Sequence, residues 1–211
     1  MKPRHSMDKV TRPSLVGVDV GDDAGRWEAL GFLVADGAVA LGGVGVGLGA
    51  TGSGIVGWAI HGLPPTQDID GLPTTPVPEV PPPDPVSHPN GATGLDHIVI
   101  TTPDFDRTAK ALEAVGMPLR RIRDAGGFRQ GFRRLGPAIL ELVEAQGAPP
   151  DDPARFWGLV VIVADVDEFK RILGDVVGDP KPAVQPGRRI VTLRQSAGLG
   201  QPVAFISPER E

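Results

Sequence analysis

The chain has 211 residues, of which 40% are hydrophobic and 22% charged, the ordinary balance of a globular protein with an apolar core. The formal net charge of −5 gives no positive field for nucleic acid, and the absence of cysteine excludes disulfides, thiolate nucleophiles and cysteine-based zinc sites. With tyrosine also absent, general acid–base chemistry falls to His, Asp, Glu or Lys.

The N-terminal part does not have the pattern of a targeting or membrane segment. The first residues carry charge but no apolar run typical of a signal peptide. Residues 37–60 are uncharged, yet they are crowded with glycine, and Val44, Val46 and Leu48 alternate as in short strands. We therefore expect a cytoplasmic protein without a membrane partner.

Residues 1–63 have the pattern of a small βαβββ-like module. Residues 14–20 are strand-like, the aspartates at 22–23 can cap a short helix, and residues 44–48 and 55–60 supply later strands. The stretch Gly47–Gly52 matches the G-x-G-x-x-G fingerprint of dinucleotide sites. The residues after it form a poor helix, so a glycine-rich turn between strands is the better interpretation.

A proline-rich segment, residues 64–94, follows this module. It holds ten of the 23 prolines of the chain and almost no apolar periodicity. Proline fixes φ and lacks an amide donor, so the segment is predicted to be an extended linker rather than an element.

The C-terminal part, residues 95–211, contains an internal repeat. The first copy reads as a strand at 95–102, a helix capped by Asp104, and three β-like stretches that end at 138–144. The second copy begins with a strand at 156–163 and a helix capped by Asp165. Two copies in the same order predict an α+β fold with paired βαβββ modules.

These residues resemble the vicinal oxygen chelate superfamily, which includes glyoxalases, bleomycin-resistance proteins, methylmalonyl-CoA epimerases and extradiol dioxygenases. The resemblance is carried by residues 95–100, which open the first module, by 139–142, which close it, and by the repeated unit at 157–208. It implies that the two modules form a half-open barrel around a shared cavity.

The resemblance also implies a site for a divalent metal such as Zn, Fe, Mn or Ni. Ligands in this superfamily lie on the first and last strands of each module, which places His97 and Glu141 at ligand positions. Aligning the caps and the glycines of the two modules puts Gly158 opposite His97 and Phe205 opposite Glu141. The resemblance therefore implies a degenerate, uncharacterised glyoxalase-like member.

Both central residues also have an ordinary structural interpretation. His97 is either a metal ligand or general base, or a strand histidine that pairs with a neighbour such as Asp96. Glu141 alternates with Leu140 and Leu142, so it faces either a cavity that it helps to build or a solvated concave surface.

Further ligand-binding candidates come from the basic stretch 120–134 and from the second module. Arg129, Gln130 and Arg133 could clamp a carboxylate or phosphate, or could belong to a solvated sheet edge. Trp157 and Phe205 are candidates for the cavity wall.

Three functional classes remain open. The first is a glyoxalase-like protein that binds a small, anionic molecule in the cavity of the C-terminal domain. The second is a divalent-metal-dependent lyase, isomerase or dioxygenase that uses His97 and Glu141 as catalytic groups. The third is an interaction module, in which the N-terminal unit docks a second chain because a single βαβββ sheet leaves its edges unpaired. A homodimer is the assembly considered for the protein. Catalytic activity is left open, and no nucleic-acid partner is expected.

Overall fold

The computed structural model describes residues 12–80 and 86–209, which form fourteen strands and three α-helices in two mixed sheets. The strands are β1 (Ser14–Val20), β2 (Ala38–Leu41), β3 (Val44–Gly47), β4 (Ile55–His61), β5 (Asp68–Ile69), β6 (Leu72–Val77), β7 (Ala92–Thr102), β8 (Arg121–Asp124), β9 (Arg129–Leu135), β10 (Ala138–Glu144), β11 (Arg155–Val163), β12 (Lys181–Pro182), β13 (Arg189–Thr192) and β14 (Val203–Ile206). The helices are α1 (Ala24–Ala29), α2 (Phe105–Ala114) and α3 (Val166–Leu173).

The C-terminal sheet has eight strands in the order β12-β13-β14-β11-β7-β10-β9-β8. In each module the first and last strands pair in parallel, β7 with β10 and β11 with β14. The modules join through the antiparallel pair β7–β11, and the edge strands β8 and β12 do not pair with each other. The predicted α+β fold of paired βαβββ modules in an open barrel is therefore confirmed.

The N-terminal sheet has six strands in the order β2-β3-β1-β4-β6-β5, which repeats the same plan in reduced form. β3 is parallel to β1 and β6 is parallel to β4, while β1 and β4 join the halves as an antiparallel pair. The predicted small module corresponds to β1, α1, β2 and β3, which form the first half of this sheet, together with β4. The second half, β4 to β6, has no helix in the described part of the chain.

The proline-rich segment differs from the prediction. Residues 68–69 and 72–77 are strands of the N-terminal sheet, and β7 already begins at Ala92. Pro73 and Pro76 are tolerated because β6 lies next to the two-residue edge strand β5, where few ladder bonds are required. The interval is therefore not an extended linker throughout, while the division of the chain at residues 63 and 94 stays a prediction.

The helices of the C-terminal sheet lie where the sequence places their caps. The Asp104 carboxylate accepts a hydrogen bond from the Arg107 amide at 3.0 Å, and Asp165 accepts from the first turn of α3. α2 packs Phe105 closely on the sheet at Gly131, where a Cβ atom would lie 2.9 Å from the Phe105 ring. Each helix therefore covers one face of the sheet and leaves the other face open for a site.

Two aspartates in the connections of the N-terminal sheet link it to the C-terminal sheet. Asp70 pairs with Arg107 and accepts from the Thr108 hydroxyl, and Asp22 accepts from the Gly200 amide at 2.7 Å and from Gln201 at 2.8 Å.

None of the three helices in the described part of the chain combines the length and apolar composition that a membrane-crossing helix requires.

Candidate functional site

His97 lies on β7 next to a β-bulge. His97 pairs with Val160 of β11 and Leu95 pairs with Val161, so Asp96 is the extra residue without a partner on β11. A bulge changes the alternation of side chains along a strand. Its consequence here is that the neighbouring side chains of Asp96 and His97 meet, with Oδ2 of Asp96 in contact with Nδ1 of His97.

Asp96 is held from its other side by Arg188. The Arg188 Nη2 donates to Oδ1 of Asp96 at 2.7 Å, its Nε donates to the Ser207 carbonyl at 2.7 Å, and both charged side chains are buried. Burial alone would raise the pKa of Asp96, but the hydrogen bonds and charges of His97 and Arg188 outweigh it and the pKa is lowered. Asp96 therefore stays ionised and orients the His97 ring.

Arg188 is the residue that sequence reasoning missed at this centre. The basic stretch at residues 185–189 was a signal, but it did not tell Arg188 from Arg189. The structure separates them, because Arg188 is buried against Asp96 while the half-exposed Arg189 pairs with Asp167 at the start of α3.

Glu141 lies on the strand next to His97. In the parallel pair β7–β10, His97 is opposite Ile139 and Val99 is opposite Glu141, so the two side chains are diagonal neighbours. Strand geometry separates such positions by roughly 7–8 Å, within reach of a shared small molecule.

A short chain of hydrogen bonds fixes Glu141. Gln130 donates from Nε2 to Oε1 of Glu141 at 2.8 Å, and Arg123 donates from Nε to Oε1 of Gln130 at 2.8 Å. Burial raises the pKa of Glu141, although the charges of His97 and Arg123 act in the opposite direction. Glu141 is thus predisposed to hold a proton.

These residues line a cavity of about 750 Å³ on the open face of the eight-stranded sheet. Both edge strands contribute to its wall, since Arg121 and Arg123 come from β8 and Lys181 from β12. The sheet therefore curls around a shared hollow, as the family resemblance implied.

Arg129 and Arg133, predicted as orienting groups for a ligand, lie on the opposite face of β9. Arg129 is ion-paired with Glu144 and Asp106 and lies over the Phe105 ring, while Arg133 donates to the Pro118 carbonyl. The period of two along β9 places residues 130 and 132 in the cavity and residues 129, 131 and 133 toward α2. Of the predicted cluster, only Gln130 reaches the cavity.

Trp157 and Phe205 have different environments. Trp157 is half-exposed and lines a second hollow of about 440 Å³ beside the first. Phe205 is fully buried on the helix side, with its ring centroid 4.1 Å from that of Phe169 on α3. Trp157 therefore has the predicted position in a cavity wall, and Phe205 does not.

The register of β14 explains the placement of Phe205. Within the modules, Val99 of β7 pairs with Glu141 of β10, and Val160 of β11 pairs with Ala204 of β14. Between the modules, Val99 pairs with Gly158 and His97 pairs with Val160. The pseudo-twofold relation between the modules therefore makes Gly158 the counterpart of His97, as predicted, and Ala204 the counterpart of Glu141. Aligning Phe205 with Glu141 was wrong by one residue, which moves a side chain to the other face of a sheet.

The donor set does not fit a resident divalent metal. His97 and Glu141 supply two donors, Ala204 supplies none, and no group of three His, Cys, Asp or Glu side chains within residues 12–80 and 86–209 could hold an ion. A side chain at Gly158 is blocked as well, because its Cβ would lie 2.5 Å from the Pro202 carbonyl oxygen. Protein zinc sites normally use three or four side-chain ligands, and the second module supplies no ligand at the two positions that correspond to His97 and Glu141.

Comparison with solved structures supports the fold. A triple mutant of 4-hydroxymandelate synthase from Streptomyces coelicolor aligns with a TM-score of 0.63 at 16% identity, over 94% of this chain and 93% of that one. Methylmalonyl-CoA epimerase from Mycobacterium tuberculosis aligns over 57% of this chain and 91% of its own, with a TM-score of 0.46 and 18% identity. No protein-family model matches the chain, and no curated protein sequence matches it significantly.

The alignment with 4-hydroxymandelate synthase shows that the chain has a fold of the vicinal oxygen chelate kind. The predicted resemblance is confirmed, and the alignment with 4-hydroxymandelate synthase extends it to the N-terminal sheet. At 16% identity the likeness concerns the fold alone, so function has to be argued from the cavity.

The donor set leads to a direct prediction about metal. Protein purified without a histidine tag and dialysed against Zn²⁺ should retain well below one equivalent by elemental analysis, because two donors rarely hold an ion tightly. His97→Ala should retain the same amount as the wild type. One tightly held equivalent that disappears in His97→Ala would show that the site is a metal centre after all.

Proposed function

We propose that this protein binds a small anionic molecule in the cavity of the eight-stranded sheet. The observation that carries the proposal is a preorganised arginine. Arg123 is fixed by its bond to Gln130 and by the Phe132 ring, whose centroid lies 5.2 Å from the Arg123 Cζ. In the described residues its terminal nitrogens have no hydrogen-bond partner, so they are available to a ligand.

The balance of charge in the cavity favours an anion. Arg121 and Lys181 line the same hollow and have no ion pair with any residue of the described chain, whereas Arg188 is neutralised by Asp96. The acidic lining residues are Glu141, whose pKa is raised by burial, and the exposed Glu209 near the described C-terminal end. Uncompensated positive charge therefore predominates around Arg123.

A metal-free acid–base reaction on the same ligand is the second candidate. The observations in its favour are that Oδ2 of Asp96 contacts Nδ1 of the buried His97 ring and that burial raises the pKa of Glu141. An imidazole and a carboxyl group in one cavity are the side chains that general acid–base catalysis uses most often. Binding remains the primary proposal, because both candidates require it.

Phenylacetate and its neutral analogue phenylacetamide test the proposal by isothermal calorimetry. Wild-type protein should bind the acid more tightly than the amide. Arg123→Met should weaken binding of the acid by about ten- to a hundredfold, since a hydrogen bond to a charged group contributes about 1.5–3 kcal/mol. Binding of the amide should change little.

Arg171→Met is the matched control for this measurement. Arg171 is exposed on α3 and paired with Glu168, so its replacement removes the same charge at a distance from the cavity. Equal affinity for acid and amide in the wild type, or an equal loss in Arg171→Met, would contradict an anion site at Arg123.

A further inference from the structure

The second hollow, of about 440 Å³, differs in character from the first. Its wall is predominantly apolar, and the aromatic side chains of Phe128 and Trp157 belong to it together with Val99, Val143 and Leu159. Trp157 is 51% exposed, so part of its ring surface is accessible to a ligand in this hollow. This hollow suits an apolar group rather than a charge.

The two hollows adjoin each other on the open face of the sheet, and together they are called the trough below. They share the residues Gln130, Glu141, Val160, Ile190 and Thr192. A molecule long enough to pass this shared wall would therefore contact both ends. Of these two hollows, Arg121 and Arg123 line only the first and Trp157 lines only the second, so the arginines and the tryptophan lie on different sides of the shared residues.

We propose that the ligand is an amphipathic anion that lies along this trough. Its charged group binds at Arg123, with Arg121 nearby, and its apolar part extends past Gln130 and Glu141 onto Trp157. This inference rests on the proposed anion site and adds the chemical class of the ligand. A molecule with only one of these two features would leave either the arginine or the tryptophan exposed to water.

Trp157 provides a built-in reporter for the apolar end. The other two tryptophans, Trp27 and Trp58, are fully buried, so a ligand in the trough should change the emission of Trp157 alone. The emission of Trp157→Phe therefore supplies the background to be subtracted.

The test is a series of straight-chain carboxylates from acetate to octanoate, compared with octanamide. Affinity should rise about fourfold for each added methylene group that the apolar wall covers. The longer acids should shift the Trp157 emission to the blue, and acetate should not. Octanamide should bind at least about tenfold more weakly than octanoate, since it lacks the charge.

Two variants separate the two ends of the trough. Arg123→Met should weaken every acid by a similar factor and leave the dependence on chain length unchanged. Trp157→Ala should reduce the gain per methylene group and leave the affinity for acetate unchanged. Circular dichroism of each variant establishes that it is folded.

The outcomes distinguish this inference from the proposal on which it rests. If the acids bind through Arg123 without dependence on chain length and without a Trp157 signal, the anion site stands and the amphipathic ligand is ruled out. If no acid of the series binds, both are overturned.

Discussion

Arg188→Met should destabilise the folded protein by about 3–5 kcal/mol, because removal of one partner leaves the other charge buried and uncompensated. Asp96 would retain only His97 as a partner, and the Ser207 carbonyl would lose the donor at 2.7 Å. Methionine keeps much of the apolar volume of the arginine stem, so the loss should report on charge and hydrogen bonding. The measurement is the free energy of unfolding in urea at neutral pH.

Arg189→Met, at the next residue, is the control. Arg189 is half-exposed and paired with Asp167, and such surface ion pairs contribute no more than about 1 kcal/mol. A similar loss in both variants would mean that Arg188 is not a special residue of the core.

The pH dependence of the Arg188→Met effect has a definite sign. The pKa of Asp96 is lowered from its ordinary value of 3.8, so its contribution to stability is present above that value and is lost as the pH falls through the lower, folded-state pKa. The stability difference between wild type and Arg188→Met should therefore shrink in acid, where Asp96 is protonated in both. A difference that grows as the pH falls from 5 toward 3 would contradict an ionised Asp96 held by Arg188.

The sequence was sufficient for the features that depend on local pattern. The caps Asp104 and Asp165 and the apolar strands beside them are readable because capping and alternation act over a few residues. The doubling of this pattern was enough to predict the paired modules, and the family resemblance implied the shared cavity in whose lining the structure has His97 and Glu141.

The features that were missed depend on contacts between distant residues. The register of β14 is set by its pairing with β11, and one residue of slip moved Phe205 from a predicted cavity wall into the core. The bulge at Asp96 and the buried partner Arg188, 92 residues away, have no local signature either. Strand β6 was missed because its two prolines outweighed its alternation, and β5 is only two residues long.

In both sheets the second half lacks a feature that the first half has. The second half of the N-terminal sheet has no helix among the described residues, and the second module of the C-terminal sheet carries Gly158 and Ala204 where the first carries His97 and Glu141. Both modules supply polar groups to the cavity, but the pair His97 and Glu141 comes from the first module, and Trp157 with much of the apolar wall comes from the second. This difference between the modules is consistent with the proposed amphipathic ligand.

Ala204→His should convert this trough into a zinc site. Ala204 is the counterpart of Glu141 and borders the apolar part of the cavity, so an imidazole there would add a third donor to His97 and Glu141. Zinc is commonly held by three protein ligands and a water. The variant should bind about one equivalent of Zn²⁺, at least about tenfold more tightly than the wild type, and added Zn²⁺ should raise its melting temperature.

Two further variants control for this gain. Ala204→Leu adds bulk without a donor and should show no response to Zn²⁺, and the double variant Ala204→His with His97→Ala should lose the gain because only two donors remain. Ala204 is the right position rather than Gly158, since a side chain at Gly158 would collide with the Pro202 carbonyl. If folded Ala204→His binds Zn²⁺ no better than the wild type, the side chains at positions 97, 141 and 204 do not converge on one point. Ala204 would then not be the counterpart of Glu141 in the cavity.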